Sequence, residues 1–347
     1  ITRSNTVTVN DAVIQSRVEE GATGNGGNID ITTSSLSLIN GGRVEAGTFG
    51  LIPQDLASEL ANQSYQEVVL DDQPVAYWRL DETTSITAVD SSGNGFNGTY
   101  RNGVTQGVSG ISGTAGEFDG NNDAVDVGII APGSELDISN KSFTVEAWVK
   151  PDELKEQSYL GIHPSNNRND GNGDSPYFRV SSKGSVRFGD FPKDLETPGN
   201  IIEPDTWYHI VASYDQDSNT NTIFVDGREV ISNNQGAFES KNPRVLIGAW
   251  RNIGDQAFNG VIDEVAVYDE ALSRESITSH FLRGQINLGG VSSESLPDSG
   301  ANAGTITVEA NDITISGVNP TNNDIASGLV SSSSGNFSGE AGTITIN

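Results

Sequence analysis

Oxygen-bearing side chains on glycine-rich loops are the first residues of this chain that could do chemistry. Asp170, Asn172 and Asp174 alternate with glycine, as ligands do in the first half of a calcium-binding loop. In a complete EF-hand loop a glutamate would follow at the position that Ser181 occupies here. The spacing therefore matches only the first half of that motif.

A second glycine-rich loop, residues 90–95, carries Asp90 and Asn94. Carboxylate, amide and backbone oxygens on a sharp turn are ligands that calcium prefers. The alternative is an Asx-turn, in which Asp90 caps its own backbone. Two further runs of acidic and amide residues begin at Asp119 and Asp215. Strand alternation would splay the first run, and the second is better interpreted as a polar hairpin tip.

Trp250 is followed closely by Arg251, Asn252 and Asp255, and this combination could bind a sugar. A sugar packs its apolar face on an aromatic ring, while amides and carboxylates bond its hydroxyl groups. The alternative is that Trp250 is a partly buried tryptophan at the rim of the fold. Both interpretations remain open at this point.

Catalytic constellations are not evident in the sequence. Glycoside hydrolases need two carboxylates that face one cleft, but the strand around Glu264 has no alternating pair of acids. Glu146 is the single acid on its strand, and His209 lies in an apolar alternation typical of a packed structural histidine. No serine stands in a G-x-S-x-G context. The sequence therefore predicts a protein that is not an enzyme.

The charge balance limits the possible partners. The 347 residues carry a formal net charge of −28, which repels phosphate backbones and anionic membrane surfaces. Nucleic acid is therefore excluded as an expected partner, whereas divalent cations are expected ones. The alternative is that the acidity only aids solubility. The absence of cysteine excludes disulfides and thiolate metal sites.

Two further features concern the ends of the chain and the membrane. The chain begins at Ile1 and contains no methionine, so we expect it to be part of a longer protein. No apolar run approaches the roughly 20 residues needed to cross a bilayer. We therefore expect no direct membrane insertion.

The elements that must position these residues fall into two unlike parts. Outside residues 53–289 the only aromatic residues are Phe49 and Phe337, and the flanks are rich in Gly, Ser, Thr, Asn, Ile and Val. A glycine-bearing turn followed by an alternating strand recurs in both flanks, at residues 24–31, 301–308 and 339–346. A repeat on both sides of an unlike segment predicts stacked coils of a β-solenoid, interrupted by an inserted domain.

The middle segment predicts many antiparallel strands and few helices. Residues 142–149, 207–214, 222–225, 244–249 and 260–268 read as strands, and Asp226-Gly227 is a strong signal for a two-residue hairpin. Short helices are predicted at residues 55–61, 65–70 and 273–281, the last of which stops at Gly284. Strands of this number and length predict a β-sandwich.

The sequence motifs of the middle segment resemble those of bacterial laminin-G-like domains, which are concanavalin A-like jelly rolls. The resemblance rests on residues 74–82 (PVAYWRLDE), 90–95 (DSSGNG), 118–123 (FDGNND), 142–151 (SFTVEAWVKP), 207–211 (WYHIV), 225–227 (VDG) and 262–273 (IDEVAVYDEALS). These motifs occur in the family's order and span about residues 64–284. Ala124 departs from the pattern, since an aromatic residue is usual there.

The flanks resemble the repeats of filamentous-haemagglutinin-like exoproteins, which fold as right-handed parallel β-helices. The predicted fold is therefore all-β, an antiparallel β-sandwich (jelly roll) inserted into a right-handed parallel β-helix. The predicted boundaries are 1–52 for β-helix repeats, 53–63 for a linker, 64–284 for the sandwich and 285–347 for further β-helix repeats. The family of the flanks implies secretion to a bacterial cell surface, associated with the outer membrane.

The resemblance also implies a function and its residues. Pairing of the first and last strands would bring Asp90 and Asn94 near Asp263 as ligands of a structural Ca²⁺. The ligand loops of related lectins imply a glycan site formed by Asp170, Asn172, Asp174, Tyr177, Arg179, Trp250, Arg251, Asn252 and Asp255. We therefore expect a non-catalytic, calcium-dependent module that binds a glycan or glycoprotein and is displayed on an adhesin stalk. The alternatives are a structural spacer or protein-docking domain, and an accessory domain of a polysaccharide-active enzyme.

Overall fold

The computed structural model describes most of the middle of the chain and short strands in both flanks. The described residues are 63–164, 176–190, 193–234, 236–238 and 243–288, together with 7–10, 13–19, 29–32, 35–39, 43–49, 291–294, 306–309, 312–316, 329–331 and 344–346. The chain forms two compact units. One is Gln66–Leu282, and the other combines Ile1–Tyr65 with Arg283–Asn347.

The described elements are mostly strands. In chain order they are β1 (Val7–Asn10), β2 (Val13–Glu19), β3 (Ile29–Thr32), β4 (Ser35–Ile39), β5 (Arg43–Phe49), β6 (Ala76–Trp78), β7 (Thr87–Ala88), β8 (Gly98–Arg101), β9 (Thr105–Ser109), β10 (Thr114–Asp119), β11 (Ala124–Ile129), β12 (Phe143–Pro151), β13 (Gln157–Pro164), β14 (Tyr177–Val180), β15 (Val186–Asp190), β16 (Lys193–Glu196), β17 (Tyr208–Asp215), β18 (Thr220–Val225), β19 (Arg228–Asn233), β20 (Pro243–Ile247), β21 (Asn259–Tyr268), β22 (Val291–Glu294), β23 (Ile306–Glu309), β24 (Asp312–Ser316), β25 (Leu329–Ser331) and β26 (Ile344–Ile346). Two helices are described, α1 (Tyr65–Asp71) and α2 (Arg274–Leu288). Neither has the length and apolarity that a transmembrane span requires.

The flanking unit contains three small parallel sheets, and each combines strands from both flanks. Their orders are β1-β4-β24, β2-β5-β22-β25 and β26-β23-β3. In the first sheet Leu36 of β4 is the register partner of Ile313 of β24. Parallel pairing in register is what stacked coils of alternating polar and apolar residues require. The insertion of a sandwich into a right-handed β-helix stays a prediction.

The middle unit is an antiparallel β-sandwich of two eight-stranded sheets. Sheet I has the order β19-β18-β17-β12-β21-β10-β9, and β6 also pairs with β21. Sheet II has the order β16-β15-β14-β13-β20-β11-β8-β7. Alternate residues of the strands form one buried core between the sheets, with Val145 and Ile210 from sheet I and Phe178 and Ile247 from sheet II. This confirms the predicted all-β antiparallel sandwich.

The outer face of sheet I is also buried, because α2 contacts it. Residues of β12 that point away from the core, Glu146 and Trp148, have no exposed surface. The ring of Phe281 on α2 stacks on that of Trp148, with 6.0 Å between their centroids. The alternation of residues along β12 alone would leave this outer face in water. Because α2 covers it, the face becomes a second buried layer.

The strand predictions are confirmed, but one helix end was wrong. The Asp226-Gly227 turn joins β18 to β19, which pair as a hairpin. Helix α2 continues through Gly284 to Leu288, beyond the predicted stop. An interior glycine costs a helix only about 1 kcal/mol, and burial of Gly284 and the Arg283 side chain accompanies its continuation. The predicted helix at residues 55–61 lies outside the described residues.

Candidate ligand-binding site

The predicted ligand residues divide between two described segments and one segment that is not described. Asp170, Asn172 and Asp174 lie outside the described residues, so their prediction is untested. Tyr177 and Arg179 lie on β14 in sheet II, and residues 250–255 follow β20 of the same sheet. The structure brings these two described segments together.

A glycine and a tight loop position Trp250. A Cβ on Gly161 of β13 would lie 2.0 Å from the Trp250 carbonyl oxygen, so only glycine allows the Trp250 backbone to cross here. The Trp250 amide donates to the Asp255 carbonyl at 3.0 Å, and the Asp255 amide donates to the Asn252 carbonyl at 2.9 Å. The loop is therefore closed by its own backbone, close to β13.

The rings and guanidinium groups of the two segments form one cluster, which we call the arginine–aromatic cluster: His163, Tyr177, Arg179, Trp250, Arg251 and Asp255. The Arg179 Cζ lies 3.5 Å from the Tyr177 ring centroid and 4.1 Å from that of Trp250. The Arg251 Cζ lies 3.5 Å from the Trp250 centroid. Two cations thus contact the electron-rich indole.

Aromatic edges complete the surroundings of Trp250. The His163 and Tyr177 rings meet it edge-on, at centroid distances of 5.5 and 5.6 Å. With two rings and two guanidinium groups around it, Trp250 is half-buried. These contacts favour the rim tryptophan over a free aromatic platform. His163 and Gly161 were not predicted, although a glycine inside a strand is a known signal for close backbone approach.

The three arginines of this face differ in their ion pairs. Arg187 of β15, the register partner of Arg179, pairs with Glu156 and Glu196 at 3.3 and 3.2 Å. Arg251 pairs with Asp255 at 3.1 Å. Among the described residues, no carboxylate lies within ion-pairing distance of Arg179, which is 6% exposed. Burial, which disfavours the charged form, lowers the pKa of Arg179 below its usual range.

Three buried N–H groups in the cluster have no acceptor among the described residues. They are Nε and Nη2 of Arg179 and Nε1 of Trp250. Buried donors almost always have a partner, and leaving one unpaired costs roughly 1–3 kcal/mol. These donors therefore mark the cluster as a place where acceptor oxygens of a ligand would be stabilised.

The predicted calcium ligand Asp90 caps the backbone of its own loop and of a neighbouring strand. Its Oδ1 accepts hydrogen bonds from the Tyr77 amide and from the amide and hydroxyl of Ser92, and its Oδ2 accepts one from the Phe96 amide. Three of these four donors share Oδ1, and one binds Oδ2. The contacts are those of the Asx-turn alternative.

The other two proposed ligands have different partners. Asn94 Nδ2 donates to the Val75 carbonyl at 3.1 Å, and Asp263 Oδ2 accepts from the Ile111 amide at 2.6 Å. Across the described ranges there is no group of three or more His, Asp or Glu side chains that could hold a metal ion. The carboxylates of Asp90 and Asp263 thus accept hydrogen bonds from the backbone of separate segments, which the prediction of a shared calcium site did not include. Calcium binding by the chain stays a prediction.

Acidic side chains outside the cluster are buried among internal partners. Glu146 Oε2 lies 3.1 Å from His209 Nε2 and 2.9 Å from His280 Nδ1, and the Tyr268 hydroxyl donates to Oε1. His280 Nε2 lies 3.1 Å from Asp72 Oδ2. The sequence indicated a packed His209, and the structure agrees, but spacing could not reveal its contact with Glu146.

A second buried acidic pair lies on β21. Glu264 accepts a hydrogen bond from the Tyr77 hydroxyl and lies 3.5 Å from Arg79 Nε. Burial raises the pKa of Glu264 to about 8, although Arg79 opposes the shift. Burial, with Glu264 next to it, also raises the pKa of Asp263 well above its usual range. The φ of +51° at Glu264 lies at a register shift between β12 and β21, which marks a β-bulge.

Comparison with protein families identifies the middle of the chain. Residues 119–278 match the family model of the concanavalin A-like lectin/glucanases superfamily. A domain of this superfamily thus lies at residues 119–278, in agreement with the resemblance of the motifs there. The match covers β11–β21 and the start of α2, and so includes the arginine–aromatic cluster. No curated protein matches the chain.

Comparison with solved structures finds similar folds at low sequence identity. Domain 4 of a GH43 extracellular arabinanase from Geobacillus stearothermophilus, in complex with arabinotriose, has a TM-score of 0.44 and 22% identity over 60% of this chain and 98% of that one. The binding domain of Paraclostridial Mosquitocidal Protein 1 has a TM-score of 0.48 and 18% identity over 61% and 52%. A Trypanosoma rangeli sialidase in complex with 2,3-difluoro-KDN has a TM-score of 0.48 and 18% identity over 61% and 33%. This chain therefore spans about half of the second protein and a third of the third.

Proposed function

We propose that this chain, whose residues 119–278 match the concanavalin A-like lectin/glucanases superfamily, is a non-catalytic module that binds a glycan or glycoconjugate. The observation that carries the proposal is the group of buried N–H donors in the arginine–aromatic cluster that have no acceptor in the described part of the chain. A saccharide presents many acceptor oxygens at short spacing. A site with fixed donors rejects ligands that leave those donors unpaired, which provides selectivity.

The surroundings of the acidic residues support binding rather than hydrolysis. Glycosidic hydrolysis requires two carboxyl groups that reach the substrate from a cleft. Glu146 and Glu264 are fully buried and hydrogen-bonded to internal side chains. Neither lies in the arginine–aromatic cluster.

The flanks support a display role for the same module. Parallel strands from before and after the sandwich pair in register, as between β3 and β23. We propose that they belong to a right-handed parallel β-helix of a longer bacterial exoprotein, secreted to the cell surface. The competing roles are a spacer or protein-docking domain and an accessory domain of a polysaccharide-active enzyme.

A glycan array with the whole chain tests the binding function. The variant Trp250→Ala tests whether binding depends on the arginine–aromatic cluster. We expect binding to at least one glycan class and at least a tenfold loss of affinity in Trp250→Ala, because the cluster loses its central ring. Trp207→Ala is the control, since Trp207 contacts Lys150 on sheet I. Absence of binding to any glycan would overturn the proposal in favour of the spacer.

The same array, repeated in calcium chloride and in EDTA, tests the metal. Loss of binding in EDTA supports the predicted calcium dependence. Equal binding in both buffers contradicts it and leaves the glycan site standing.

A further inference from the structure

The side chain of Arg179 is held in one orientation by its surroundings. It projects from β14 into the angle between the rings of Tyr177 and Trp250, which meet at 81°. Both rings contact the guanidinium group, and only 6% of the Arg179 surface is exposed. Stacking on two rings satisfies the face of the guanidinium but supplies no acceptor in its plane.

In the described part of the chain, Arg179 is the arginine of this face that lacks an ion pair. Neighbouring Arg187 and Arg251 each have carboxylate partners. Among the described residues, Arg179 has no carboxylate within ion-pairing distance, although Glu156 and Asp194 favour its charged form from farther away. A buried charge is unfavourable unless it is paired, so a partner anion is the element that this surrounding lacks.

The two nitrogens without acceptors define the shape of that anion. Nε and Nη2 lie on the same edge of the guanidinium group, and their N–H bonds point in parallel. This edge forms the bidentate fork that holds two oxygens of one carboxylate. Two oxygens of a sulfate can occupy the same positions.

We propose that Arg179 makes this site selective for acidic saccharides, that is, for sugars that carry a carboxylate or sulfate group. The inference rests on the proposed glycan-binding function and specifies its ligand class. The anionic group binds side-on to Nε and Nη2 of Arg179. The Trp250 Nε1–H donates to a neighbouring oxygen of the same sugar. Since these donors are buried, binding must move side chains that cover them.

Calorimetry with matched saccharides tests the selectivity without any substitution. The ligands are a uronic acid oligosaccharide, its carboxyl-reduced form, a sulfated oligosaccharide and its desulfated form. We expect at least one acidic ligand to bind at least tenfold more tightly than its neutral form. The two pairs distinguish carboxylate from sulfate.

Equal affinity for acidic and neutral forms would overturn the selectivity while leaving glycan binding intact. If none of the four ligands binds, the selectivity proposal is wrong for both anion types. The glycan array then decides separately whether the binding function survives.

The variant Arg179→Lys tests the fork, because lysine keeps the charge and loses the bidentate edge. We expect at least a tenfold loss of affinity for the acidic ligand and less than a threefold change for the neutral one. Arg187→Lys, at the register partner, is the control and should change either affinity less than threefold. An unchanged affinity in Arg179→Lys would contradict the proposal. Melting temperatures of both variants establish that they are folded.

Discussion

Buried titratable residues set the pH dependence of this sandwich. Burial disfavours a charged Glu146, but His280 and the hydrogen bonds from His209 and His280 outweigh it and lower the pKa of Glu146. Burial likewise lowers the pKa of His280, but Glu146 and Asp72 raise it to about 10. Burial lowers the pKa of His209, which is therefore neutral. The group is an ion pair between Glu146 and His280 at the contact of β12 with α2.

The raised pKa of His280 predicts loss of stability in alkali. Its contribution is complete below the unfolded-state pKa of about 6.5 and is lost as pH rises toward 10. Between pH 8 and 9.5 the free energy of unfolding should fall by about 1.4 kcal/mol per pH unit from this group. Urea titrations at these pH values measure the slope, to which Glu264, with its pKa raised to about 8, also contributes near pH 8.

The variant His280→Gln separates His280 from the other groups. It should be less stable than the parent at pH 7, by about 3–5 kcal/mol, because Glu146 loses its buried counter-charge. Above pH 8 the free energy of unfolding of this variant should fall less steeply than that of the parent, because the contribution of His280 is absent. A parent protein with constant stability from pH 8 to 9.5 would show that His280 is not held protonated.

At the scale of elements, the hairpin between β18 and β19 is one of the places where α2 contacts sheet I. Asp226 and Gly227 have φ of +52° and +74°, and the Asp226 carboxylate accepts a hydrogen bond from the His209 amide. The Thr278 hydroxyl of α2 donates to the Gly227 carbonyl at 3.2 Å. The turn thus has two constraints, its left-handed backbone and its contact with the helix.

Gly227→Ala is expected to destabilise the sandwich by about 2 kcal/mol. The left-handed backbone costs an L-residue roughly 1–2 kcal/mol, and the new Cβ would lie 3.0 Å from the Phe281 side chain. Gly133→Ala is the control, because its φ of +76° is similar but no atom lies within 4 Å of the added Cβ. Chemical denaturation of both variants should show the larger loss for Gly227. Equal losses would mean that contact with α2 contributes nothing.

At the scale of the whole molecule, strands from the two flanks pair with each other. Ser37 of β4 and Thr314 of β24 are register partners in a parallel sheet. Neighbouring strands lie about 4.8 Å apart, within the Cα separation that a disulfide spans. The flanks therefore close a sheet between residues separated by the entire sandwich.

Because the chain has no cysteine, an engineered pair tests this closure directly. The double variant Ser37→Cys with Thr314→Cys should form an intramolecular disulfide under mild oxidation, seen by mass spectrometry as loss of both free thiols. Ser37→Cys with Thr307→Cys is the control, since Thr307 lies on β23 in a different sheet. Equal oxidation of the two double variants would contradict the register.

The strands were predictable, and part of the candidate site was predictable as well. Alternation placed β12, β17 and β21 within one or two residues, because period-two patterns are local. Composition pointed to Trp250 and Asp255, and the resemblance added Tyr177 and Arg179. Neither composition nor the resemblance could show that guanidinium groups cover Trp250, because those contacts depend on the pairing of β13 with β14 and β20.

The sequence by itself determined the division into repetitive flanks and an aromatic-rich middle, and the lectin-like sandwich of that middle. Both follow from patterns carried by contiguous residues. Only the tertiary structure decided which polar groups are partnered. Glu146 meets His280 across 134 positions, and Asp263 meets Ile111 across 152. Arg179 lies beside Trp250 with no ion pair to any residue that the structure describes. Such pairings depend on strand register and on the packing of α2, which the spacing of residues along the chain does not specify.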